Sequence, residues 1–236
     1  GDSLPDAFSL WTNTNEHVSL NTGNGFASRN LWLSSGELNH IYRRFRDVNG
    51  DGLSDMVKTS GGLYLEGLKV AFNKGDGQGF ANFVSLQTLT AQYTYDVTQI
   101  VDVNGDGLND HVFRYGNSNN PPSGIWVSLN TGNGLAAPQR WIDDYDNCSG
   151  CMFEKTTIPF LPSSYGRIRM VDMNADGKAD VVVAGTDGLY VSLSTGVAPG
   201  TSGVAQTGFL PKQRWYEYTG TQDYYAAIIG DLNGDG

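Results

Sequence analysis

Nine aspartates recur in three short stretches: DVNGDGLSD (Asp47 to Asp55), DVNGDGLND (Asp102 to Asp110) and DMNADGKAD (Asp172 to Asp180). In each, side-chain oxygens fall at positions 1, 3, 5 and 9. The glycine at position 6 can take a positive φ and aim the carbonyl of position 7 inward. Hard cations of calcium's size take six to eight oxygens at flexible distances, and this set supplies four side chains and a carbonyl, with water free to complete the shell. The expected ligands are Asp47, Asn49, Asp51, the Leu53 carbonyl and Asp55 in the first loop. They are Asp102, Asn104, Asp106, Leu108 and Asp110 in the second, and Asp172, Asn174, Asp176, Lys178 and Asp180 in the third. A single copy could be an Asp-Gly turn. Three carboxylates meeting in each of three loops would repel one another without a cation.

The spacing begins like an EF-hand, but position 12, where an EF-hand places a bidentate Glu, is Lys58, Phe113 or Val183. A fourth motif, DLNGDG, gives Asp231, Asn233 and Asp235 as a partial site. The opening GDSLPD aligns with the second half of the loop, placing Asp2 at position 5, Leu4 at 7 and Asp6 at 9, with Ser3 in the place of the turn glycine.

These loops need elements to hold them, and the chain supplies them as repeats. Successive loops start at Asp47, Asp102, Asp172 and Asp231, at intervals of 55, 70 and 59 residues. Between them lie HVSLNTGNGF, KVAFNKGDGQGF, WVSLNTGNGL and YVSLSTG, followed by segments ending at Trp32, Trp141 and Trp215, with no such Trp in the second unit. Short runs rich in Val, Ile, Tyr and Phe flank each loop, bounded by Gly, Asn and Asp, and read as strands. Four strands per unit predict an all-β chain, a β-propeller of four-stranded blades. About four units are expected, at 6–55, 55–110, 110–180 and 180–236 of a single propeller region 1–236. Being cut inside a loop at both ends, they read as part of a larger array, with a closed four-blade ring as the rival.

Composition agrees. Glycine is abundant at 31 of 236 residues, only 17% of residues are charged, and the net charge of −10 argues against nucleic acid or an anionic membrane as partner. Three bound Ca²⁺ would carry that charge to about −4. No apolar run is long enough to insert as a membrane-spanning helix. There is no hydrolase elbow, zinc-protease helix, P-loop or dinucleotide fingerprint, so an enzyme is not expected.

DVNGDGLSD between strands, joined to VSLNTGNGF, resembles the FG-GAP/VCBS repeats of integrin-α-like propellers. The resemblance implies calcium-stiffened blades, an extracellular or cell-surface setting, and a binding, adhesion or scaffold role toward a protein or glycan partner. Integrin-like lectins and the propeller parts of Rhs or Tc-type toxin shells are alternatives that it implies. Trp32, Arg140, Trp141, Arg214 and Trp215 could form sugar-stacking platforms, although a repeated strand Trp is more often packed between blades. In the extracellular setting that the resemblance implies, Cys148 and Cys151 are expected to form a small disulfide, since two cysteines without nearby histidines cannot close a zinc site.

Overall fold

The computed structural model describes residues 4–12, 15–34, 43–59, 68–75, 77, 79–87, 95–115, 124–143, 168–184, 188–200 and 208–217, which hold fifteen strands and no helix. They form four antiparallel meanders in sequence order. The first contains β1 (Ala7–Thr12), β2 (Asn15–Ser19) and β3 (Asn30–Ser34). The second contains β4 (Arg43–Arg46), β5 (Asp55–Thr59), β6 (Leu68–Ala71) and β7 (Val84–Gln87). The third contains β8 (Tyr95–Val101), β9 (Asp110–Tyr115), β10 (Gly124–Ser128) and β11 (Gln139–Asp143). The fourth contains β12 (Ile168–Val171), β13 (Asp180–Ala184), β14 (Gly188–Ser192) and β15 (Gln213–Glu217).

Each complete Asp loop joins the first and second strands of a four-stranded sheet, and its ninth residue opens the second strand. Units counted from loop to loop therefore divide each four-stranded sheet after its first strand. The cysteines at 148 and 151, and the partial site at 231–235, lie outside the described residues. So does Asp2.

The chain falls into two compact units, residues 1–92 with 131–135, and residues 93–130 with 136–236. In the first, Val18, Trp32, Leu33, Met56, Ala71 and Phe80 make the core, with Phe8 and Phe45 against it. Arg43 on β4 also donates to the buried Glu16 of β2, an ion pair tying its two sheets together. In the second unit, Val112, Ile125, Trp141, Met170, Val181 and Phe209 are among the core residues. Strand β13 buries Val181, Val182 and Val183 in succession. It is covered on both faces, which is why it reads as a continuous apolar run rather than an alternation.

One irregularity repeats in all four sheets. Where the last two strands of each sheet pair, the register skips a residue: partners pass from Leu33 to Leu31, Gln87 to Ser85, Ile142 to Arg140 and Tyr216 to Arg214. The skipped residues are Trp32, Leu86, Trp141 and Trp215. A bulge breaks the alternation of faces and re-aims a side chain, so Trp32 and Leu33 are both buried although adjacent. Leu86 fills in the second sheet the place that Trp holds in the others. Strands β10 and β14 open on Gly124 and Gly188, where a Cβ would collide with the carbonyl oxygens of Ile142 and Tyr216.

The bulge corrects the expected sugar platforms. Trp32 packs edge-on against Phe80 at 5.2 Å between ring centroids, and Trp141 meets Phe209 at 5.4 Å. At 9% and 1% exposure neither offers a ring face to a glycan. Trp215, at 45%, remains accessible with Arg214 beside it in sequence.

Candidate metal centre

The first loop is wound by its own oxygens. Asp47 accepts from the backbone N–H of Gly50 through Oδ1 and of Gly52 through Oδ2, both at 2.8 Å. Asn49 Oδ1 accepts from Asp51 N at 3.1 Å, and Asp51 Oδ1 from Leu53 N at 2.8 Å. The carboxamide of Asn49 donates to Asp51 Oδ2 at 2.9 Å. The second loop makes the same bonds from Asp102 to Gly105 and Gly107, between Asn104 and Asp106, and from Asp106 to Leu108. These are Asx turns, in which a short side chain substitutes for a backbone acceptor. They require left-handed backbone at position 4 as well as position 6. Gly50 (φ 78°) and Gly105 (φ 80°) supply it, while the third loop forces Ala175 to φ 58°.

The ninth residue works differently. Asp55, Asp110 and Asp180 are each fully buried. One oxygen, Oδ2, accepts from the N–H of position 2, which is Val48, Val103 or Met173, at 2.9 to 3.0 Å. The other, Oδ1, accepts from the N–H of a residue past the end of the third strand: Asn73, Asn130 or Ser194, at 2.7 to 2.8 Å. Each carboxylate thus brackets its loop to the hairpin that follows. Asp6 makes the equivalent bond to Asn21 N at 2.8 Å, and the Asn21 carboxamide donates to the Pro5 carbonyl as Asn73 and Asn130 donate to Ser54 and Asn109. Asp6 thereby stands where a ninth residue stands. The bracketing N–H groups were not legible in sequence, because the residues supplying them, Asn, Asn, Asn and Ser, looked like ordinary turn formers.

Burial raises the pKa of Asp55, Asp110 and Asp180, the two backbone bonds oppose the rise, and the carboxylates at positions 5 and 1 add to it. For Asp110 the result is a value of about 6. The three carboxylates of each loop are close enough to repel, so the anionic donor chemistry fits a hard cation. Among the described residues, however, no three His, Cys, Asp or Glu side chains converge into a ready-made cluster. The oxygens are turned mostly to the backbone, and some accept twice: Asp102 Oδ1 from Asn104 N and Gly105 N, and Asp176 Oδ2 from Asn174 Nδ2 and Lys178 Nζ.

His111, beside Asp110, is buried on β9, and burial lowers its pKa to about 3. An unfolded histidine takes a proton below about 6.5 while this one stays neutral, so it costs stability as pH falls from about 6.5 toward 3. Asp110 acts in the opposite sense, holding a proton in the fold between about 6 and its unfolded value near 3.8. In His111→Gln, the loss of urea midpoint between pH 7 and pH 5 is expected to be smaller than in the parent chain. An equal loss in both would refute the assignment.

The third loop carries its own cation. Lys178 at position 7 pairs with Asp176 Oδ2 at 2.8 Å, and this contact draws the Asp176 pKa down. Its stem is confined by two glycines: a Cβ on Gly105 would lie 3.2 Å from Lys178 Cγ, and one on Gly196 2.8 Å from Cδ. Two further bonds reach the second loop from the fourth sheet, from Ala179 N of the third loop to the Asp102 carbonyl at 2.8 Å and from Ser194 Oγ, past the end of β14, to the Val103 carbonyl at 2.6 Å.

A family described as the FG-GAP-like repeat matches residues 172–236, starting at the first aspartate of the third loop. This segment is an FG-GAP-like repeat. The arrangement of Asp loop, bracketing aspartate and hairpin seen in that segment recurs in hydrogen-bond detail at Asp47 and Asp102. No curated protein matches the chain. No helix among the described residues is long and apolar enough to cross a membrane.

Proposed function

We propose that the chain is a calcium-stiffened β-propeller segment of extracellular FG-GAP type, serving as a binding or structural module rather than an enzyme. The observation that carries this reading is the bracket at position 9. A cation shared by positions 1, 3, 5, 7 and 9 would be tied through Asp55, Asp110 or Asp180 to a loop, a strand start and a hairpin at once. Burial is the main cause that raises those three carboxylates, and calcium would offset the repulsion that adds to it, so the metal would stabilise the sheet and not the loop alone. The sheet architecture and the FG-GAP-like repeat support the propeller. The match at 172–236 supports the setting, since FG-GAP repeats occur typically in extracellular proteins.

Calcium titration against EDTA tests the proposal. A site binding only the folded state stabilises by about 2.7 kcal/mol at a hundredfold excess over Kd, so Tm should rise clearly with Ca²⁺ and fall with chelator. An unchanged Tm, with no metal found by elemental analysis, overturns it. Lys178→Leu gives a second prediction. Removing the tethered ammonium from Asp176 frees a ligand and deletes a positive charge, so calorimetry should show tighter calcium binding at the third loop, with the first two unchanged. Equal affinity before and after would mean that Lys178 does not compete.

A further inference from the structure

We infer that Asn24 and Asn133 are sites of spontaneous deamidation, and that the Asp loops shield the same Asn-Gly pair at Asn49 and Asn104 from it. The chain carries five such pairs, at Asn24, Asn49, Asn104, Asn133 and Asn233. The last lies outside the described residues. In the reaction the glycine backbone nitrogen, its proton lost to solvent base, attacks Cγ of the asparagine. A C–N bond forms, Nδ2 leaves as ammonia, and water opens the resulting succinimide to aspartate or, at its other carbonyl, to isoaspartate. The fold must therefore leave the glycine N–H free to lose its proton and the carboxamide free to turn toward it. It must also leave room at the glycine, which has no Cβ to crowd the approach.

The hairpins of the first and third sheets meet all of these conditions. Both read Asn-Thr-Gly-Asn-Gly. Thr22 N and Oγ1 donate to the Gly25 carbonyl at 2.9 and 3.1 Å, and Thr131 N and Oγ1 to the Gly134 carbonyl at 2.9 and 3.0 Å. Those bonds close the turn through the glycine carbonyl and leave its N–H unused. Among the described residues neither Gly25 N nor Gly134 N is hydrogen-bonded, and the exposed carboxamides of Asn24 and Asn133 are equally unengaged. A Cβ on Gly25 or Gly134 would meet nothing within 4 Å.

The Asp loops hold the same groups in place. Gly50 N donates to Asp47 Oδ1 at 2.8 Å and Gly105 N to Asp102 Oδ1 at 2.7 Å. A carboxylate there retains the proton and repels the amide anion that must form. Asn49 and Asn104 are fixed at both ends of the carboxamide, Oδ1 by the N–H of Asp51 or Asp106 and Nδ2 by the carboxylate of the same residue. Exposure does not explain the contrast, because Asn49 and Gly50 are exposed as Asn24 and Gly25 are. In the third loop the residue after Asn174 is Ala175, whose Cβ crowds the nitrogen. Reaction at a hairpin replaces a neutral tip with an anionic one, and isoaspartate adds a methylene to the main chain inside the turn that Thr22 or Thr131 closes.

The test is incubation of the folded 236-residue chain in EDTA at mildly alkaline pH, so that its outcome does not depend on the calcium reading. Each Asn-Gly peptide is scored by mass spectrometry for amide-to-acid conversion, with isoaspartate confirmed by isoaspartyl methylation. A loop N–H must first leave its carboxylate, so Asn24 and Asn133 should react at least about tenfold faster than Asn49 and Asn104, and in urea the four rates should converge. Equal rates in the folded chain overturn the proposal. Rates that stay apart in urea would assign the difference to sequence neighbours rather than to the fold, and equally overturn it. Asp47→Ala should speed reaction at Asn49 while Asn104, in the intact second loop, stays slow; an unchanged Asn49 would refute the shield. If Asn104 accelerates as well, the chain has loosened, and Asp51→Ala, which frees the Asn49 carboxamide from an exposed partner, takes its place with the same split expected.

Discussion

Asp110→Ala is expected to cost several kcal/mol and to remove calcium from the second loop in one step. Asp110 is fully buried, and its two oxygens hold Val103 N at 3.0 Å and Asn130 N at 2.7 Å. Alanine leaves both N–H groups buried without an acceptor, at about 1–3 kcal/mol each, and unties the loop from Asn130, just past the end of β10. Asn is the informative control, because it keeps one acceptor oxygen and the side-chain volume. Asp110→Asn should therefore retain roughly half of the lost stability while still weakening the metal site through loss of charge. The measurement is urea unfolding in EDTA, which isolates the bracket, followed by the same series in calcium. If Asp110→Ala and the parent chain had equal midpoints in EDTA, the carboxylate would be a ligand and not a structural bracket.

Asp51 separates the two roles from the other side. It is exposed and bonds only within its own loop, to Leu53 N and Asn49 Nδ2, so its loss should matter far more with calcium than without. Asp47, Asp51 and Asp55 were equivalent as sequence letters. Burial distinguishes them, and burial depends on which residues lie over the loop, which the nine-residue motif does not encode. The same holds for the strands. That each unit holds about four short strands followed from runs of Val, Ile, Tyr and Phe between glycine turns, and the loop spacing gave the repeat. The bulge did not follow, since QRWID and QRWYE alternate in neither pattern and the skipped residue is defined only by its partner strand. Gly124 and Gly188, each opening a third strand, were the available signal. Lys178 illustrates a further limit: at position 7 only its carbonyl was expected to matter, and the ion pair to Asp176 depends on a stem held by Gly105 of a different loop and by Gly196.

Trp141→Ala is expected to destabilise the second unit by about 3–5 kcal/mol, the usual range for a large aromatic removed from a core, while Trp215→Ala should change stability little. The two residues occupy the same bulge in consecutive sheets and share the sequence Gln-Arg-Trp, so local strand structure cannot account for a difference between them. The difference lies in what covers the ring: Trp141 is closed over by Gly208 and Phe209, and Trp215 is 45% exposed. Gly208→Ala should reproduce part of the loss from the opposite side of the contact, because its Cβ would be driven into the Trp141 indole; overpacking of this kind costs about 1–3 kcal/mol. The two substitutions touch one another, so their effects should not add: once Trp141 is alanine, the added methyl at 208 enters the space that the indole left. A double-mutant cycle read by urea unfolding checks this. Strict additivity would mean that the Gly-Phe hairpin does not seat on the bulged tryptophan.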